Sequence, residues 1–327
     1  MIFDNIRRNL TAIFVSAFFA LALFCSVTLL DIRQNGTIDR EWACSVFSGL
    51  PDFIPANASV AVSIALLLLT GLLLYKINME HLSVKSREHL LVFLWIIQTG
   101  GFTFLHVPTE AHFAAIFILC SCDSLFHISK KTIGYSEVFM SAMYLGLASV
   151  FCSIAAYLFV AYIIALYRFK YVTFRDWAIA VVGFLMPFYF SSLVSFFVSG
   201  SWSYPIRVTL SNLVPEFPVV FPDFSAMQIV FVTLVLLLTL AKILAEMKFG
   251  EGLSQKTISS NLIFSIFLLF SVVLFVVFAS KSKSILMIIF TFATPLLRVL
   301  FVIIKKNFLA NLIFAILAAC SFACLFF

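Results

Sequence analysis

Between Ile285 and Ile304 the chain runs about twenty residues with a single ionisable side chain, Arg298, and comparable apolar runs recur along its whole length. No water-soluble fold hides so many, because a globule needs a polar skin over its core. A bilayer accepts them, since each spanning helix needs about 20 mainly apolar residues. Composition sharpens the point: of 327 residues, 63% are hydrophobic and 11% charged, against roughly 25% charged in soluble domains. Mean hydropathy is +1.13. These values exclude a soluble enzyme and a disordered chain. They also exclude an outer-membrane barrel, whose strands alternate polar and apolar residues. The expected fold is all-α: a polytopic transmembrane helical bundle, one integral membrane domain over 1–327, with no soluble domain.

The apolar segments are Leu10–Leu30, Ile54–Tyr75, Leu90–Leu105, Phe113–Phe126, Glu137–Val150, Phe151–Tyr167, Trp177–Ser199, Ala226–Leu244, Asn261–Phe278, Ile285–Ile304 and Phe308–Phe327. They predict about eleven segments, within a range of nine to eleven, including several short paired helices in the middle. Segments 90–105, 113–126 and 137–150 hold about 14–16 residues and reach only about 21–24 Å of a core near 30 Å. They are tilted, re-entrant or buried behind other helices. Val138–Leu166 is too long an apolar run for one straight helix. Its small residues Ala148, Ser149, Cys152 and Ser153 predict a tight turn that splits it. Arg7 and Arg8 precede the first run as in a secretory signal, but no small-x-small cleavage site follows, so it reads as an uncleaved first helix.

The net charge of +6 is a topology signal rather than a sign of nucleic-acid binding. With the N-terminus in the cytoplasm and sides alternating, the inner positions carry Arg7, Arg8, Lys76, Lys85, Arg87, Lys130, Lys131, Arg168, Lys170, Arg175, Lys242, Lys248, Lys256, Lys305 and Lys306. The outer loops carry Arg33, Arg40, Arg207, Lys281 and Lys283. That excess of inner charge supports both the orientation and the split. Cys25, Cys120, Cys122, Cys152, Cys320 and Cys324 lie in apolar segments and only Cys44 in a loop, which makes neither a disulfide framework nor a zinc ribbon.

Candidate chemistry concentrates at the predicted outer face. Asp31, Asp39, Glu41 and Asp52 fall in the loop after the first helix, where Asp39 or Glu41 could serve as a general base. A solvated loop with Asp–Arg pairs is the plain alternative. His106-Val-Pro-Thr-Glu-Ala-His112 puts two imidazoles and Glu110 within one short link. His106, Glu110, His112 and Arg207 are therefore the substrate-binding candidates. The same link also reads as a helix start, with Thr109 as N-cap and Glu110 or His112 at the interface. Imidazole with carboxylate also suits a metal, although no metal and no cofactor is expected here. Loop 200–225, with Pro205, Pro215, Pro218 and Pro222, is expected to lie over the outer face, and Pro187 to kink its helix.

Ionisable groups within the apolar segments are costly there. Asp123 is expected to pair with Lys130 or cap a turn. Arg298 is expected to snorkel to the headgroups or hold a lipid phosphate. Glu137 reads as a first-turn acid. No Gly-x4-Gly-Lys, Gly-x-Gly-x-x-Gly or His-Glu-x-x-His motif occurs, which argues against an ATP-driven pump and a metalloprotease of that type.

Phe104-Leu-His-Val-Pro-Thr-Glu, Cys120-Ser-Cys-Asp-Ser-Leu-Phe-His-Ile-Ser and Tyr167-Arg-Phe-Lys-Tyr-Val-Thr-Phe-Arg-Asp-Trp, followed by Gly183 and Pro187-Phe-Tyr, carry a resemblance. Over about residues 90–200 the chain resembles an uncharacterised family of polytopic inner-membrane proteins of Bacteroidota. This implies a Gram-negative cytoplasmic membrane and no particular activity. The acidic first loop and short paired helices also resemble multi-span polyprenol-dependent glycosyltransferases. That resemblance implies a catalytic acid at Asp39, Glu41 or Asp31, though the adjacent acidic pair and large outer domain of those enzymes are missing here.

Three readings follow. The first is a non-catalytic subunit or scaffold of envelope biogenesis in the bacterial inner membrane. The second is a glycosyltransferase-like enzyme acting on a lipid-linked sugar at the outer face, and the third a transporter of small solutes or lipids. The partners they bring are membrane lipids, a lipid-linked substrate and a membrane-protein partner, with no nucleic acid.

Overall fold

The computed structural model describes residues 15–26, 45–46, 56–82, 90–128, 134–169, 173–215, 224–249, 255–278, 280–304 and 307–326. Among them every regular element is helical. In chain order these are α1 (Val15–Ser26), α2 (Ala56–Ile77), a π-helical turn (Asn78–Leu82), α3 (Leu90–Gly100), a 3-10 turn (Thr103–His106) and α4 (Glu110–Ile128). Then come α5 (Tyr135–Phe151), a second 3-10 turn (Ser153–Tyr157), α6 (Leu158–Arg168), α7 (Phe174–Ser199) and α8 (Tyr204–Leu213). The chain continues through α9 (Ala226–Phe249), α10 (Gln255–Phe278), α11 (Ile285–Ile303) and α12 (Asn307–Ala323).

By length and composition, 6 described helical stretches are able to cross a membrane: Ala58–His81, Glu110–Ile128, Phe174–Ser199, Ala226–Glu246, Ser259–Phe278 and Ile285–Ile303. Of the short central segments, 113–126 extends to 19 residues as α4, because Glu110 and His112 enter its first turn. α3 stays short, at 11 residues. The expected break after Val138 appears where the small residues lie: α5 stops at Phe151, Cys152 is extended (φ −124°, ψ 100°), and the 3-10 turn leads into α6. Glu137 stands in the first turn of α5 as expected.

α11 is the hub. It packs against α3, α4, α9 and α10, and 94% of its apolar window is buried. In lipid, helix association comes from close packing and interhelical hydrogen bonds rather than from expelling water. Accordingly α5 and α7 meet through glycines. A Cβ on Gly183 would come within 2.6 Å of Phe139 O, and one on Gly146 would strike Phe184 O. α7 is started by a reciprocal capping box, Thr173 Oγ1 accepting from Asp176 N while Thr173 N donates to Asp176 Oδ2 at 3.0 Å. It ends at Gly200, whose φ of +70° is a left-handed cap.

The expected outer loop 200–225 contains a helix, α8, of 10 residues. Pro205 sits in its first turn, where the missing N–H costs nothing. Tyr157 Oη donates to Leu213 O at the other end of α8, and Lys281 Nζ lies 3.4 Å from Ser211 O and Asn212 O. A cation is favourable beside such uncapped carbonyls.

Candidate functional site

Among the described residues, the densest group of ionisable side chains is built where α2 ends and α4 ends. α2 carries Lys76 in its last turn and then widens into the π-turn, which holds Asn78, Glu80 and His81. A π-turn takes one residue more than an α-turn, is rare, and is frequently found at functional sites. α4 supplies Asp123 and His127, spaced i, i+4 and therefore on one face.

Around Asp123 the geometry is close. Lys76 Nζ donates to Oδ2 at 2.9 Å, and His81 Nε2 lies 2.9 Å from Oδ1. Glu80 Oε2 lies 3.8 Å from His81 Nε2 and 3.7 Å from His127 Nε2. His127 Nδ1 lies 2.8 Å from the Asp123 backbone oxygen. That contact places the ring proton on Nδ1 and leaves the Nε2 lone pair turned towards Glu80. The His81 and His127 rings meet edge to face, centroids 4.7 Å apart. His81 is fully buried, while Glu80 and His127 are 40% and 37% exposed, so the group opens to solvent on one side. The partner expected for Asp123, Lys130, lies outside the described residues. Lys76 and His81 are the partners seen.

The link from His106 to His112, expected at the outer face, is otherwise employed. His106, Glu110 and His112 come together in it, all fully buried. His106 Nε2 donates to Gly100 O at 2.9 Å. His112 Nε2 faces Leu105 O at 3.1 Å and Ser63 Oγ at 3.2 Å, and Ser63 Oγ itself donates to Leu105 O. On the other edge His112 Nδ1 accepts from Thr109 N at 3.1 Å and lies 2.8 Å from Thr109 Oγ1. Thr109 thus precedes the first turn as an N-cap, with His112 in the place a capping-box Glu would take. These contacts define a neutral ring with its proton on Nε2. Burial pushes His106 down to about 4, against the pull of its bond to Gly100. Both imidazoles act as struts of the link rather than as groups presented to a substrate.

Arg207 stands exposed on α8, which packs on α7 and α5. Asp39 and Glu41 lie outside the described residues. Arg298 does not snorkel: it is fully buried on α11 and donates to Asn78 Oδ1 of the π-turn. Its neighbour one turn back, Thr294, donates to Gln98 Oε1 of α3 at 2.8 Å. A second buried cation, Lys242 on α9, donates to Glu246, which also accepts from Asn261 of α10 at 2.9 Å.

Comparison of the chain with protein-family models, with curated proteins and with solved structures found no match. The reading therefore rests on the geometry. Sequence reasoning missed Glu80, His81 and His127. The adjacent pair Glu80-His81 beyond Lys76, and the Asp123-x3-His127 spacing, were the available signals.

Proposed function

We propose that this chain is a multi-pass protein of the bacterial inner membrane, crossing about eleven times with its N-terminus in the cytoplasm. There it serves as a non-catalytic subunit or scaffold of envelope biogenesis, in contact with membrane lipids and a membrane-protein partner. The observation that carries the reading is how α7 divides its surface. Ala180, Gly183, Pro187 and Ser192 form one narrow buried stripe against α5, and only 17% of the helix's apolar window is buried. Val182, Leu185, Tyr189, Phe190 and Phe197 all face outward, each more than half exposed. A helix so lightly held by its own chain has room for another membrane helix. The use of His106 and His112 as internal struts supports a non-catalytic role, because the outer-face reaction required them to be open to a substrate.

Photo-crosslinking in living cells tests this. A photoreactive residue placed singly at Val182, Leu185 or Tyr189 is expected to yield the same discrete protein adduct. Lipid adducts alone at all three positions would overturn the proposal.

A further inference from the structure

We propose that Glu80, His81, Asp123 and His127 form a binding site for one divalent first-row transition-metal ion that clasps the end of α2 to the end of α4. This goes beyond the role in envelope biogenesis and does not depend on it. The first support is donor chemistry and distance. Two imidazoles and two carboxylates offer one ligand atom each, all within 4.8 Å of one another. Donors around a zinc ion with bonds near 2.0–2.1 Å stand about 3.4 Å apart. The pairs His81 Nε2–Asp123 Oδ1 at 2.9 Å, Glu80–His127 at 3.7 Å and Glu80–His81 at 3.8 Å straddle that spacing. With every pair inside 4.8 Å, closing the set takes shifts of no more than about 1.4 Å in any one separation.

Orientation is the second support. The His127 ring is held by its Nδ1–H on the Asp123 backbone carbonyl, the arrangement that aims Nε2 at a metal. His81 is sealed from solvent and turns Nε2, the proposed ligand atom, to Asp123 Oδ1, so ligation exchanges that one hydrogen bond for bonds from both groups to the ion and displaces the Nε2 proton. Third, the π-turn holds both Glu80 and His81, and both reach α4, His81 at Asp123 and Glu80 at His127. Two nitrogen and two oxygen donors suit zinc, with manganese the harder alternative. Both carboxylates together neutralise the ion. Glu80 and His127, each more than a third exposed, leave a route for it from solvent.

The test uses the full chain in lipid nanodiscs, stripped with chelator and titrated with zinc and with manganese by calorimetry and by competition with a chromophoric indicator. The expected result is one zinc per chain, with manganese weaker, and binding at least about tenfold weaker in His127→Ala and in Asp123→Asn. His127 is on the surface side of the cluster, so His127→Ala is expected to fold, checked by its elution and helical circular dichroism. Cobalt loaded in place of zinc should give ligand-field bands without thiolate charge transfer. Absence of binding, equal binding by both variants, or a thiolate band pointing to Cys120 or Cys122 would each overturn the proposal.

Discussion

Lys76 Nζ lies 2.9 Å from Asp123 Oδ2, joining the ends of two helices whose residues are 47 positions apart. The ammonium occupies the one oxygen of Asp123 that His81 does not face. Removing it has opposite effects on two measurable quantities. Lys76 is half exposed, so the ion pair adds at most about 1 kcal/mol to folding, and Lys76→Gln should lower the melting temperature by a few degrees at most. Zinc affinity should rise several-fold, because the cation no longer competes for the carboxylate. Calorimetric titration beside a thermal scan reads both. Weaker zinc binding in Lys76→Gln would refute the expectation.

The α5–α7 contact predicts a contrast between two glycines. Gly183→Ala forces a Cβ to within 2.6 Å of Phe139 O, a backbone atom that yields only if the helices separate. A loss of about 1–3 kcal/mol is expected, as for overpacking elsewhere. Gly71→Ala meets the Trp95 side chain at 3.3 Å and gains helix propensity, so it should be close to neutral. Thermal unfolding of both variants in one detergent checks the pair.

His106 makes stability depend on pH. Its buried ring titrates near 4, against 6.5 when exposed in the unfolded chain. The unfolded state therefore takes up the proton first. The contribution is whole above pH 6.5, declines as pH falls, and levels off below about 4, a total of about 3 kcal/mol. His106→Gln should flatten that part of a stability profile measured from pH 7.5 to 4.5. An unchanged slope would show that other groups carry it.

Tyr162 supplies a prediction in the centre of the bundle. Its hydroxyl donates to Val138 O at 2.9 Å and lies 2.7 Å from Ser141 Oγ, all of it buried. Tyr162→Phe keeps the ring packing and removes one hydroxyl. Val138 O keeps the Ala142 N–H of its own helix and Ser141 Oγ at 3.1 Å, so the loss should be about 1 kcal/mol. In Ser141→Ala/Tyr162→Phe the contact between the two hydroxyls is lost only once, so the loss should fall short of the sum of the single variants. A double-mutant cycle in thermal stability measures this.

Hydropathy made the helical architecture legible, together with the break at Cys152, where small residues interrupt an overlong apolar run. It gave the extent of the apolar helices along the chain but not direction around each helix. Arg298 was therefore expected to reach for headgroups, whereas its azimuth on α11 points it at Asn78, 220 positions away in sequence. Asp123 was sought a partner nearby along the chain and found His81, 42 positions back. His106 and His112 were visible as a cluster. Their use as struts was not, because it depends on backbone carbonyls that any sequence supplies. α8 was hidden by its prolines, of which Pro205 begins a helix instead of preventing one.

The π-turn Asn78–Leu82 spends one residue more than an α-turn where α2 ends. Its two sides are tied to different partners: Asn78 accepts from Arg298 of α11, and His81 reaches Asp123 of α4. Three residues of backbone therefore join the buried hub helix to a cluster open to solvent. A change at either end has a short mechanical path to the other.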